Sequence, residues 1–233
     1  MRHSRQAGLF GPAGQLKLKE SKVSIVGCGG LGTYVAVLLT SAGVGSIKLI
    51  DGDTPSESDF NRQFMYPGEE GLKADILGEK LRKIDHGVRV ETFCEYIDEE
   101  NVSDAIDGCD VIADCLDSVK ARLILNKHSI SENIPLAHGG IDGFHGQATF
   151  LIPGRTPCLG CILRPSENDV PLSFSPMASM VASLQASDII KFLTGTGETL
   201  AGKLMTISID TNSYHIIDIR PDPRCPVCGV DSL

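Results

Sequence analysis

Apolar and polar positions alternate between two periods along the first 140 residues. The run at 22–28 is short, β-branched and closed by glycines, which predicts a buried strand entering a tight turn. Residues 31–42 are apolar and free of proline, predicting a helix closed by Gly43. Residues 46–50 predict a second strand with Asp51 at its carboxyl end. The alternation continues with helices at 72–84, 101–106 and 119–131 and strands at 88–94, 110–115 and 134–137. Repeated βα units of this kind place parallel strands in one sheet with helices on both faces.

Beyond Gly140 the rhythm changes. Residues 146–152 read as a strand without a crossover helix after it, and 203–210 with 214–220 as a hairpin. The fold class expected is α/β, a Rossmann-like, mainly parallel sheet extended by antiparallel strands. The long helix at 177–193 carries Met177, Met180, Val181, Leu184, Ile189, Phe192 and Leu193, a spacing that fits core or a dimer seam. At the other end, residues 9–12 predict a turn before a short helix at 15–20.

Composition narrows the function classes. A chain of 233 residues can bury a real core. The formal net charge of -9 disfavours general affinity for nucleic-acid phosphate or anionic membrane. No apolar run approaches the ~20 residues of a membrane span. The polar start of the chain leads into no signal-peptide core, so the cytoplasm is the expected compartment.

Candidate chemistry begins at Gly27-Cys28-Gly29-Gly30-Leu31-Gly32, a G-x-G-x-x-G loop between strand and helix. Such a loop turns tightly and aims free N–H groups at a phosphate. Asp51 follows at the distance of a ribose-binding carboxylate. ATP and NAD remain open at this point, and with NAD a dehydrogenase. Arg62 and Lys73 favour a triphosphate, and Asp117 is placed to hold Mg2+, a hard cation that prefers carboxylate. Taken singly, Arg62 fits a surface ion pair, Lys73 a solvated lysine and Asp117 a helix N-cap.

Two C-x-x-C pairs, Cys158 with Cys161 and Cys225 with Cys228, supply four thiolates for a tetrahedral structural Zn2+. Cys28, Cys94, Cys109 and Cys115 read as small apolar residues, although Cys28 lies at a helix N-terminus, where a thiol pKa can fall. His138 and His145 are expected to bond within the Gly139-Gly140 and Gly143 turns.

The glycine loop, Ser41-Ala42-Gly43-Val44-Gly45, Asp51-Gly52-Asp53, Asn61-Arg62-Gln63, Asp114-Cys115-Leu116-Asp117, Ser4-Arg5-Gln6 and both cysteine pairs together resemble the ThiF/MoeB/HesA ubiquitin-activating-type enzymes. The resemblance implies ATP-dependent adenylation of the C-terminal Gly-Gly carboxylate of a ubiquitin-like sulfur-carrier protein, with pyrophosphate release, by a homodimer. It implies a single adenylation domain over 1–233. Residues 1–140 form its nucleotide-binding half, and 141–233 hold the crossover loop, the antiparallel strands and the zinc site.

By the same resemblance Gly27, Gly29, Gly30, Gly32, Asp51 and Asp53 hold the nucleotide. Arg62 and Lys73 contact its phosphates, Asn61 and Gln63 line the pocket, Asp117 coordinates magnesium, and Arg5 reaches the neighbouring subunit's ATP. Asp59, Leu116 and Ser118 depart from residues common in the family. The crossover segment at 164–175 has no cysteine where thioester-forming branches carry one. Alternatives from the resemblance are adenylation of another carboxylate, such as a peptide C-terminus or a tRNA nucleoside, and a non-catalytic binding module for a ubiquitin-like protein.

Overall fold

A computed structural model describes residues 2–163 and 172–229. One sheet of eight strands runs through both halves in the order β3-β2-β1-β4-β5-β6-β7-β8. The strands are β1 Lys22–Val26, β2 Ser46–Ile50, β3 Arg89–Phe93, β4 Val111–Asp114, β5 Leu136–Asp142, β6 His145–Leu151, β7 Lys203–Ser208 and β8 Ser213–Asp218. β1 to β5 pair in parallel and β5 to β8 antiparallel, as the change of rhythm predicts.

Alternation along each buried strand divides the core. Val23, Ile25, Ile47, Leu49, Val111 and Ala113 face one side. There they pack under α1 (Ala7–Glu20), α2 (Gly30–Ala42), α3 (Lys73–Ile84) and α7 (Ser175–Thr194). Val26, Ile50 and Ile112 face the other, under α4 (Val102–Ile106), α5 (Val119–Ser131) and α6 (Leu159–Ile162). Residues one apart on a strand point to opposite faces, so a sheet covered on both sides needs apolar residues at nearly every position. Among the described residues no helix is long and apolar enough to cross a membrane.

Two local expectations change. Gly139 and Gly140 do not turn the chain; they lie inside β5, paired with Ala148 and Gln147 of β6. A Cβ on Gly139 would meet Gln185 Oε1 at 2.4 Å, so the glycine admits the buried α7 side chain against the strand. The turn falls at Gly143, whose φ is +57°. Secondly, the helix starts at Ala7, well before the expected 15–20; the expected break is there as non-helical Gly11 (φ 67°, ψ 177°), which kinks α1 into two pieces. The long helix α7 keeps its expected core reading: it buries Met177, Val181 and Ile189, while Met180 and Leu184 pack at its margin.

Candidate functional site

The order of strands reverses between β1 and β4, and the loops leaving their carboxyl ends diverge to open a cleft of about 240 Å³. The glycine loop forms one wall. Gly27 takes φ +93° and donates its N–H to Ile50 O at 2.8 Å. A Cβ on Gly32 would stand 1.8 Å from Gly27 O, so α2 starts closer to the loop than any other residue permits. Gly27, Gly29 and Gly30 line the cleft, and Gly32 supports it from behind.

Asp51, Asp53, Asp59, Arg62, Gln63, Lys73 and Asp117 line the same cleft. Asp51 is tied to the glycine loop: Oδ2 accepts from Cys28 N at 2.7 Å and Oδ1 from Asp53 N at 2.8 Å. Burial pushes its pKa up, and those two N–H groups work against the rise. Each oxygen keeps acceptor capacity for a hydroxyl.

Lys73, at the first position of α3, is buried and donates to Asp53 Oδ2 at 2.6 Å, with Asp59 Oδ2 at 3.1 Å. Burial works to lower its pKa, but the two carboxylates overcome this and hold the ammonium above its usual range. It is therefore not the solvated lysine its position allows. Nor is Arg62 a simple surface charge: it lies over Gly30 and bonds Ser58 O, Asn61 Oδ1 and Asp59 Oδ1 at 2.9, 2.9 and 3.2 Å. Asn61 reaches across to Ser173 O at 3.2 Å, within the described end of the crossover segment.

Sequence reasoning missed the role of Asp59 as the hub of this group. Ser56 and Asp59 form a reciprocal capping box around the short 3-10 turn Glu57–Asp59. The S-x-x-D spacing is a signal for such a turn. Arg122 was also missed. It donates to Leu116 O and, at 3.0 Å, to Gly139 O, and so pins the turn that carries Asp117. That turn frees Asp117 from the capping role, because Ser118 Oγ accepts from Ala121 N and caps α5. Asp117 is exposed at the cleft, with no hydrogen bond or ion pair among the described residues.

Other expectations are corrected. Cys28 is buried, as its reading as a small apolar residue expects, and burial with the Asp51 charge pushes its thiol up rather than down. His138 bonds no turn: it is buried in β5 with Nδ1 2.7 Å from Asp114 Oδ2, and burial lowers its pKa. His145 opens β6 and meets Ser208 Oγ at 2.9 Å. Arg5 is exposed outside the cleft of its own chain. The segment around it is anchored by Gln6 Nε2, which donates to Ala42 O at 2.6 Å.

The four paired cysteines meet. Their sulfurs all lie within 4.8 Å of one another, with Cys158 to Cys225 at 3.6 Å and Cys161 to Cys228 at 3.4 Å. A tetrahedral zinc with Zn–S of about 2.3 Å sets its sulfurs about 3.8 Å apart, so the donor set fits that ion. Asp222 N donates to Cys161 Sγ at 3.4 Å. Burial raises the Cys225 thiol, but the N–H groups of Cys228 and Val227 prevail and bring it down to about 7. The cluster joins the N-cap and body of α6, through Cys158 and Cys161, to the end of the described chain. Residues 164–171 of the crossover segment lie outside the described residues.

Residues 3–227 match the model of the ThiF family. The sulfur carrier protein ThiS adenylyltransferase of Bacillus subtilis is 37% identical over 243 residues, covering 98% of this chain and 71% of that protein. The SAMP-activating enzyme E1 of Haloferax volcanii is 34% identical, covering 96% of this chain and 87% of that protein. Among solved structures, E. coli MccB with ATP superposes with a TM-score of 0.87 at 27% identity, over 98% of this chain and 74% of that one.

Proposed function

This chain belongs to the ThiF family, and on that premise we propose that it adenylates the C-terminal glycine carboxylate of a ubiquitin-like sulfur-carrier protein with ATP. It acts as a single adenylation domain in a cytoplasmic homodimer. The observation that carries the reading is the convergence of the glycine loop, Lys73, Arg62 and Asp117 on one cleft at the switch point of the sheet.

The reaction asks little covalent work of the protein. A carboxylate is already anionic at neutral pH and needs no base. One of its oxygens bonds to the α-phosphorus of ATP while the bond to the bridging oxygen breaks, and pyrophosphate leaves with that electron pair. The obstacle is repulsion between two anions together with the charge that builds on the leaving group. The N–H groups of the glycine loop and the start of α2 cradle phosphate oxygens, and Lys73 and Arg62 offset their charge. Asp51 and Asp53 hold the ribose side, and Asn61 and Gln63 line the pocket. Asp117 would hold the magnesium that accompanies ATP, which supplies charge neutralisation between phosphates. Arg5 acts from the partner subunit. The four cysteines would hold a structural zinc, remote from the chemistry.

ATP–pyrophosphate exchange tests the reading. Exchange should appear on adding a ubiquitin-like protein ending in Gly-Gly and vanish when that protein is shortened by its last glycine. Exchange that is indifferent to any such protein, yet driven by a short peptide or by tRNA, would replace the substrate assignment.

A further inference from the structure

Asp59 is the most heavily used carboxylate in the cleft. Its Oδ1 accepts from Gln63 Nε2 at 2.9 Å and Arg62 Nη2 at 3.2 Å. Its Oδ2 accepts from Ser56 N and Ser56 Oγ, both at 3.1 Å, and pairs with Lys73 Nζ at 3.1 Å. The residue is buried, yet it lines the cleft. Both cations assigned to phosphate thus already hold an anion of this chain. Lys73 also holds Asp53, but that side chain is 46% exposed and can swing away, whereas Asp59 is fixed by its capping box.

We infer that Asp59 is a built-in competitor of the triphosphate: a positioning residue that aims Lys73 and Arg62 into the cleft while its charge weakens and grades their hold on the nucleotide. This inference rests on the nucleotide reading above. Two anions sharing one pair of cations repel each other, and inside a cleft that repulsion is poorly screened. Repulsion must grow with the number of phosphate oxygens that reach the two cations, so the penalty is small for adenosine, larger for AMP and greatest for the triphosphate.

The geometry also offers a clean variant. Gln63 Oε1 is buried and has no hydrogen-bond partner among the described residues. In Asp59→Asn the new amide can donate to that idle acceptor once the Gln63 amide turns over, while its oxygen still accepts from Lys73. Arg62 keeps Ser58 O and Asn61 Oδ1. The side-chain shape is retained and the charge is removed.

The test is calorimetric titration of the full chain, wild type and Asp59→Asn, with adenosine, AMP and Mg-ATP. We expect Asp59→Asn to bind Mg-ATP about tenfold more tightly, AMP to a smaller degree, and adenosine as wild type does. In exchange assays KM for ATP should fall by a larger factor than kcat changes. An Asp59→Asn protein that binds Mg-ATP no better than wild type, or that gains equally for adenosine, would overturn the inference. Asp59→Ser, read by the same criteria, serves if the asparagine variant does not fold. A wild-type chain that binds none of the three would refute the nucleotide reading itself.

Discussion

Lys73→Met exposes the energetic role of the cleft's buried charge. Methionine keeps most of the stem's packing and removes only the ammonium. The Lys73 side chain is 5% exposed and that of Asp59 11%, and they stand 3.1 Å apart. Removing one partner of such a pair leaves a buried carboxylate uncompensated, which typically costs about 3–5 kcal/mol. Asp59 retains Arg62, Gln63 and Ser56, so the lower end applies, about 3 kcal/mol. The bond to Asp53 adds little, because water screens that half-exposed carboxylate. For a chain of this size the loss is a fall in Tm of about 6–12 °C.

The pH dependence carries a sign. Although burial works upward on Asp59, its bonds to Lys73 and Ser56 hold its pKa below the usual carboxylate range. Its stabilisation is therefore present above the unfolded value of about 3.9 and lost as pH falls through the folded one. The Lys73 pKa is raised, so its share is present below about 10.4 and lost as pH rises through the folded value. Urea denaturation across pH should show the gap between wild type and Lys73→Met widest near neutrality and closing toward acid. Adding Asp59→Asn to Lys73→Met should recover at least about 1 kcal/mol. A gap that is flat in pH, or a double variant no more stable than the single one, would refute the reasoning.

Further outcomes are expected. Cys225→Ser should lose bound zinc and lower Tm, because metal binding at such a site is coupled to folding; metal analysis showing an active, intact wild type with far less than one zinc per chain argues the opposite. Asp117→Ala should cut exchange by ~100-fold or more while weakening ATP binding less, and near-normal exchange would place magnesium elsewhere. Single replacements of Cys28, Cys94, Cys109 and Cys115 should leave exchange largely intact, with no reducible enzyme–partner adduct lost in any of them. Arg5→Ala and Asp117→Ala homodimers should each be nearly inactive, yet regain activity when subunits are mixed; verified subunit exchange without recovery would confine Arg5 to its own chain.

Much of the fold was legible because local signals agreed with the final packing. The strand at Ser46–Ile50 and the helix at Val119–Ser131 fall where the pattern puts them. The glycine loop and both cysteine pairs also read directly, since each needs particular residues at fixed spacing. What stayed hidden depends on partners distant along the chain. Glycines disfavour strands, so β5 was cut short at Ala137; only β6 pairing and Gln185 of α7 make sense of Gly139 and Gly140. Gly11-Pro12 reads as a stop, and Gly11 does leave the helical course, but the helical turns before it at 7–10 carry no signal of their own. The partnership of Asp59 with Lys73, and that of Arg122 with Gly139, arise only when separate loops converge on one end of the sheet.

The cysteine cluster also joins an early and a late part of the chain. Its two halves stand 67 residues apart, and α7, β7 and β8 are all made between them. During synthesis the first pair emerges with no counterpart and can offer a metal only two thiols. The second pair follows β8 in the chain and meets the first in the finished fold. A metal held by all four thiols would therefore distinguish a completed chain from one that stops before Cys225.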